Sequence, residues 1–183
     1  MQIRLASDIQ RDSIVDGEGI RAVLWTQGCA HHCPGCQNPM TWDFQKGMLV
    51  DIEDVLFAID ELEGQDGITF SGGDPVYQSK ECAVIAKYAK SIGLNVWCYT
   101  RFLYEDMLGD KDRREFLNYI DVLVDGKFIL KEKSLNLYFK GSKNQRIIDV
   151  AKSLAENKVC LVEKYKDPII YEPPKRREEH IYI

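Results

Sequence analysis

At 183 residues, with 45% hydrophobic and 29% charged side chains, the chain has the length and balance of one soluble globular domain that buries a core without disulfide help. A net charge of −5 argues against a nucleic-acid partner, because phosphate contacts need a basic surface. No apolar run approaches the roughly 20 residues of a membrane span, and the N-terminus lacks a signal-peptide pattern, so the expected compartment is the cytoplasm, where thiols stay reduced.

Arg21 to Gln27 (RAVLWTQ) is rich in strand formers and predicts a first strand. From Asp51 to Glu63, Ile52, Val55, Leu56, Ile59 and Leu62 fall on one helical stripe, with Asp51 as cap and Gly64 as stop. GITFS (67–71) predicts a second strand, followed by a helix from about Gln78 to Ile92 that Gly93 closes. NVWCYT (95–100) predicts a third strand, and 102–118 a charged amphipathic helix. DVLVDG (121–126) predicts a fourth strand, 145–156 a helix, and KVCLVE (158–163) a fifth strand. Such alternation implies βαβ units and a parallel sheet, in an α/β fold. A full eight-unit barrel takes about 250 residues, so an incomplete barrel or an open sheet is expected. The core is expected at about 12–163 of a single domain, with 164–183 a charged, proline-containing surface tail.

The unusual residues fall at the strand ends. The loop CAHHCPGC (29–36) follows the first strand, Gly72, Gly73 and Asp74 the second, Tyr99 and Thr100 end the third, and Asp125, Gly126 and Lys127 end the fourth. In α/β sheets and barrels this edge binds ligands, so these features predict an active-site rim. Cys29, Cys33 and Cys36 cluster, whereas Cys82, Cys98 and Cys160 are scattered and are expected to pack as small hydrophobes. Zinc is one reading of the loop, with His31 or His32 completing a Cys3His set. A structural zinc site, however, combines ligand pairs distant in sequence. The other reading is a 4Fe–4S cube, which normally takes four thiolates, so that three leave one iron open to a ligand.

Cys-x3-Cys-x2-Cys after a first strand, together with SGGDP (71–75), resembles the signature of radical S-adenosylmethionine enzymes. DGEGIRAVLWTQGCAHHCPGCQNPMTWD (16–43) is similar to the N-terminal region of glycyl-radical activating enzymes. Within that group, SGGDP and GSKNQRIID (141–149) look most like the activating components of anaerobic (class III) ribonucleotide reductase. The chain departs from the common pattern at Gly35, where many members have an aromatic residue. It also has Asp74 for the commoner Glu, and Gln37 where formate-lyase activases often have His.

The resemblance implies a partial TIM-type barrel and one 4Fe–4S cluster on Cys29, Cys33 and Cys36. S-adenosylmethionine would bind the open iron, with Gly72, Gly73 and Asp74 at its amino group. Lys127 would meet its carboxylate, Asp125 would take a ribose hydroxyl or hold Lys127, and Gly35 and Gln37 would line the adenine side. Tyr99 and the Asn144-Gln145-Arg146 stretch are further candidates, Asn144 alternatively as a helix cap. The implied partners are a glycyl-radical protein, the anaerobic reductase, and a low-potential donor such as flavodoxin. An activase for another glycyl-radical enzyme of the pyruvate formate-lyase type, or an enzyme acting on a small molecule, are the alternative enzymes. A zinc or iron–sulfur electron-transfer module is the non-enzyme alternative.

Overall fold

The computed structural model of the chain describes residues 1–166. Its strands are β1 (Gln2–Leu5), β2 (Gln10–Ser13), β3 (Arg21–Thr26), β4 (Met48–Asp51), β5 (Gly67–Gly72), β6 (Asn95–Tyr99), β7 (Val122–Asp125) and β8 (Arg146–Asp149). The helices are α1 (Ile52–Asp60), α2 (Ser79–Ser91), α3 (Tyr104–Leu108), α4 (Lys111–Leu117) and α5 (Val150–Glu156). One mixed sheet runs β4-β1-β3-β5-β6-β7-β8, with β2 also paired to β3. The four expected strands β3, β5, β6 and β7 are mutually parallel. The flanking pairs β1–β3, β1–β4, β2–β3 and β7–β8 are antiparallel, so the sheet is not parallel throughout.

Alternation along the strands separates two faces. Ala22, Leu24, Ile68, Phe70, Val96, Cys98 and Leu123 join Val55 and Ile59 of α1, Ile85 and Ala89 of α2, and Phe116 and Leu117 of α4 in the main core. Phe70 meets Phe116 edge-on, with ring centroids 5.2 Å apart. On the opposite face Trp97, Val124, Ile147 and Tyr165 form a smaller cluster. Beside it lies Arg21, buried, whose guanidinium donates to the Thr69 hydroxyl (2.7 Å) and to the Ile68 (2.6 Å) and Asn95 (3.0 Å) carbonyls. Burial lowers the pKa of Arg21 to about 10. Among the described residues no α-helix packs on this second face, and its upper half is left for the site.

Three expectations are corrected. The helix expected over 102–118 is two helices, because Gly109 and Asp110 break it and the Asp110 carboxylate caps α4 by accepting from Asp112 N (3.1 Å) and Arg113 N (3.0 Å). The helix expected from 145 begins only at Val150: Arg146–Asp149 is a strand, since Ile147 and Ile148 both find apolar neighbours by pairing with β7. Its cap is Asp149, which accepts from Lys152 N (2.9 Å), and not Asn144. The fifth strand at 158–163 shrinks to a single bridge between Ile148 and Leu161. The core also reaches further than expected. Ile3 and Leu5 are buried at its N-terminal side, and Tyr165, within the expected surface tail, is only 7% exposed. Residues 167–183 of that tail lie outside the described residues.

Candidate iron–sulfur and ligand site

The cysteine loop leaves the top of β3 and is anchored at its base, with Gly28 N donating to Thr41 O (2.8 Å) and Cys29 N to Trp42 O (3.0 Å). Cys33-Pro34-Gly35-Cys36 closes as a tight turn, with Cys36 N bonded to Cys33 O at 3.0 Å. Proline at the second position and glycine with φ of 74° at the third are the requirements of a type II turn. Pro34 and Gly35 thus set the spacing of the last two thiols. Cys29 and Cys33 are buried, Cys36 is half-buried, and all three are free thiols. Burial raises the pKa of Cys29 above that of an ordinary thiol, against the lowering by a backbone bond from His31.

Gly72 and Gly73 fasten the end of β5 to this loop. Gly73 N donates to Thr26 O (2.7 Å) and Asp74 N to Gly28 O (3.0 Å). A Cβ on Gly72 would collide with the Thr26 backbone and one on Gly73 with the Gly28 carbonyl. The glycine pair therefore permits close approach of two backbones, and not of a ligand alone.

Asp74 lies beneath. Its Oδ1 accepts from Thr100 Oγ1 (2.8 Å) and Val76 N (3.1 Å), its Oδ2 from Arg101 N (3.0 Å). His31 Nε2 stands 3.6 Å from Oδ2, and burial pushes the Asp74 pKa up to about 6. The carboxylate ties the tops of β5 and β6 together under the cysteine loop. Both oxygens already accept from the protein, and the group does not line the adjacent cavity.

That cavity, of about 520 Å³, opens over the tops of β3, β5 and β6 on the face of Trp97 and Val124. Cys36, Gln37, Gly72, Gly73, Tyr99 and Arg101 line it, together with the loop from Lys133 to Gly141 and Gln145. Gly35 is not in its wall and faces Leu130. Asp125 and Lys127 do not reach it either. Asp125, fully buried, faces its cross-strand neighbour Arg146, which donates through Nε (2.9 Å) and Nη2, while Tyr104 N donates at 2.8 Å. The expected hold of Asp125 on Lys127 is therefore replaced by an Arg146 pair, because antiparallel register brings Arg146 opposite Asp125. Lys127 is exposed, its carbonyl accepting from Asn144 Nδ2 (2.8 Å). Gln145 braces the cavity wall through Gly126 O and the Gly141 and Ser142 amides.

Sequence reading missed Arg101. It follows Thr100 at the top of β6, so the strand-end rule extended by one residue would have found it. Its Nη2 donates to Cys36 Sγ at 3.3 Å, and its Nη1 is buried without a partner among the described residues. Among the described residues, no three His, Cys, Asp or Glu side chains gather about one ion position. His31 instead packs edge-on against Phe102, and His32 lies tilted against Trp42, with ring centroids 4.7 Å apart. A cube differs from a single ion, since its thiolates are spread one to each iron.

Three free thiols in one loop, beside an open cavity lined by the half-buried Arg101, are the donor set of an iron–sulfur protein. Residues 15–148 match the family described as a 4Fe-4S single cluster domain. The chain is also 34% identical over 143 residues to the anaerobic ribonucleoside-triphosphate reductase-activating protein of Haemophilus influenzae, covering 73% of this chain and 90% of that one. The proteins of the same name from Enterobacteria phage T4 (34% over 141 residues; 73% of this chain and 86% of that one) and Escherichia coli strain K12 (32% over 142 residues; 72% and 90%) match similarly. The chain belongs to the family of anaerobic ribonucleoside-triphosphate reductase-activating proteins.

The residues present fit a 4Fe–4S cluster. The loop offers three thiols, the donors such clusters prefer. The cavity reaches Cys36, and the orphaned Arg101 Nη1 beside it points to a group that the protein does not supply.

Proposed function

We propose that this chain is the activase of an anaerobic ribonucleoside-triphosphate reductase, a radical S-adenosylmethionine enzyme that places a glycyl radical on that partner. The observation that carries the reading is the joining of Cys36, Gln37 and the Gly72-Gly73 pair around one cavity at the tops of three parallel strands. Cys29, Cys33 and Cys36 would hold the cluster. When bound, it supplies one electron to the sulfonium of S-adenosylmethionine, giving methionine and a 5′-deoxyadenosyl radical.

The chain's own residues bind and shield. The Gly72 and Gly73 backbone lets a ligand lie close above β5, and Asp74 fixes the floor from below. Tyr99 and Gln37 supply a flat and a polar wall, and the loop from Lys133 to Gly141 covers the outer side. The sheet is read as a partial TIM-type barrel in a single domain over 1–183, whose open side admits a segment of the partner. The cytoplasm as compartment and flavodoxin as electron donor belong to the same reading. No helix among the described residues is long and apolar enough to cross a membrane.

The test is 5′-deoxyadenosine formation by the anaerobically reconstituted protein with a strong reductant, beside Cys33→Ala. A glycyl-radical signal on added reductase completes it. Zinc without sulfide in the purified protein would overturn the reading. So would absence of product with a reduced cluster and the reductase both present.

A further inference from the structure

Arg101 meets Asp74, Cys36 and the cavity at once. Its backbone N holds Asp74 (3.0 Å), its Nη2 holds the Cys36 sulfur (3.3 Å), and its side chain lines the cavity beside Gly72 and Gly73. Its remaining terminal nitrogen, Nη1, is buried and has no partner among the described residues. A buried guanidinium N–H left unpaired costs more than a neutral group would, so it calls for an acceptor. The acceptor chemistry is constrained by the guanidinium itself, whose planar fork matches a carboxylate. Asp74 does not serve, since its oxygens accept from Val76 N, Thr100 Oγ1 and the Arg101 backbone, not from the Arg101 side chain. Lys127, the residue expected from sequence to meet a ligand carboxylate, stands outside the cavity.

We propose that Arg101 bridges the Cys36 sulfur and the ligand carboxylate, holding the thiolate through Nη2 and offering Nη1 to the carboxylate of an amino-acid-bearing ligand in the cavity. This rests on the reading of the ligand as S-adenosylmethionine. Two separable consequences follow. A positive charge and a hydrogen bond at a cluster sulfur favour the reduced state, so Arg101 raises the reduction potential. A charge-assisted bond to the carboxylate contributes binding that a ligand without that carboxylate does not receive.

The experiment compares the reconstituted wild type with Arg101→Gln and Arg101→Lys, after iron and sulfide analysis. Potentials are read by titration followed by electron paramagnetic resonance. Affinities are measured anaerobically for S-adenosylmethionine and for its decarboxylated analogue. The expected result is a lower potential in Arg101→Gln and a loss of S-adenosylmethionine affinity of roughly tenfold to a hundredfold. The affinity for the decarboxylated analogue stays unchanged in the same variant. Arg101→Lys is expected to keep more of the potential than of the preference for the carboxylate, because a single ammonium cannot span both groups. Equal losses for both ligands, or an unchanged potential, would overturn the proposal. Failure of both variants to take up a cluster, with unchanged thermal melting, would assign Arg101 to building the loop alone and overturn the ligand contact. If the wild type holds its cluster yet binds neither compound, the S-adenosylmethionine reading fails first.

Discussion

Removing the Arg146 side chain tests how the rear of the site is held. Asp125 is fully buried, and Arg146 gives it two of its three side-chain hydrogen bonds. Arg146→Ala leaves a buried carboxylate with the Tyr104 amide alone. Breaking a buried pair by removing one partner typically costs about 3–5 kcal/mol. Arg146 is itself 29% exposed, so water reaches the gap and the lower end, about 3 kcal/mol, applies. For a chain of this length that is a fall in melting temperature of roughly 6–12 °C. Glu105 is the internal control. It also pairs with Arg146, at 3.1 and 2.8 Å, but its side chain is 54% exposed. Glu105→Gln is therefore expected to cost about 1 kcal/mol or less. Adding Asp125→Asn to Arg146→Ala should recover part of the loss, because the stranded group is then neutral. Circular-dichroism melting of the metal-free protein reads all four proteins. A loss below about 2 °C for Arg146→Ala, or a loss equal to that of Glu105→Gln, would refute the account of a desolvated carboxylate.

Gly73→Ala places a methyl against the Gly28 carbonyl, and the expected outcome is loss of bound iron and sulfide with secondary structure retained, read by metal analysis and circular dichroism. Gly35→Ala puts a side chain at φ of 74° and 2.8 Å from a Leu130 methyl; the left-handed conformation alone costs about 1–2 kcal/mol, read as a lower melting temperature. The folded pKa of Asp74, about 6, stands above its unfolded value near 3.8, so the folded state holds the proton more tightly and this group's contribution to stability falls as pH rises from about 4 to 6. Relative to Asp74→Asn, the metal-free wild type should lose up to about 3 kcal/mol across that window; a constant difference between the two melting curves would contradict it.

The placement of Cys29, Cys33, Cys36 and Gly72-Gly73-Asp74 at the strand ends was legible from the chain alone, because each sits at or just beyond a run of strand formers, a pattern local in sequence. The four parallel strands were legible for the same reason: their apolar runs are short, continuous and bounded by turn residues. Segment 145–149 was not, since a pair of isoleucines suits a helix stripe or a strand, and only pairing with β7 decides between them. The partners of Asp125 and Asp74 were equally hidden. Arg146 lies 21 positions from Asp125 and Arg101 lies 27 from Asp74, and those distances close only through register and loop packing. Sequence alone determined which chemical groups the rim carries, because residue type and local spacing suffice for that. Only the tertiary structure decided which of them face the cavity. Burial turned Asp74 and Asp125 inward to protein donors and left one Arg101 nitrogen without a partner among the described residues, an outcome set by long-range packing.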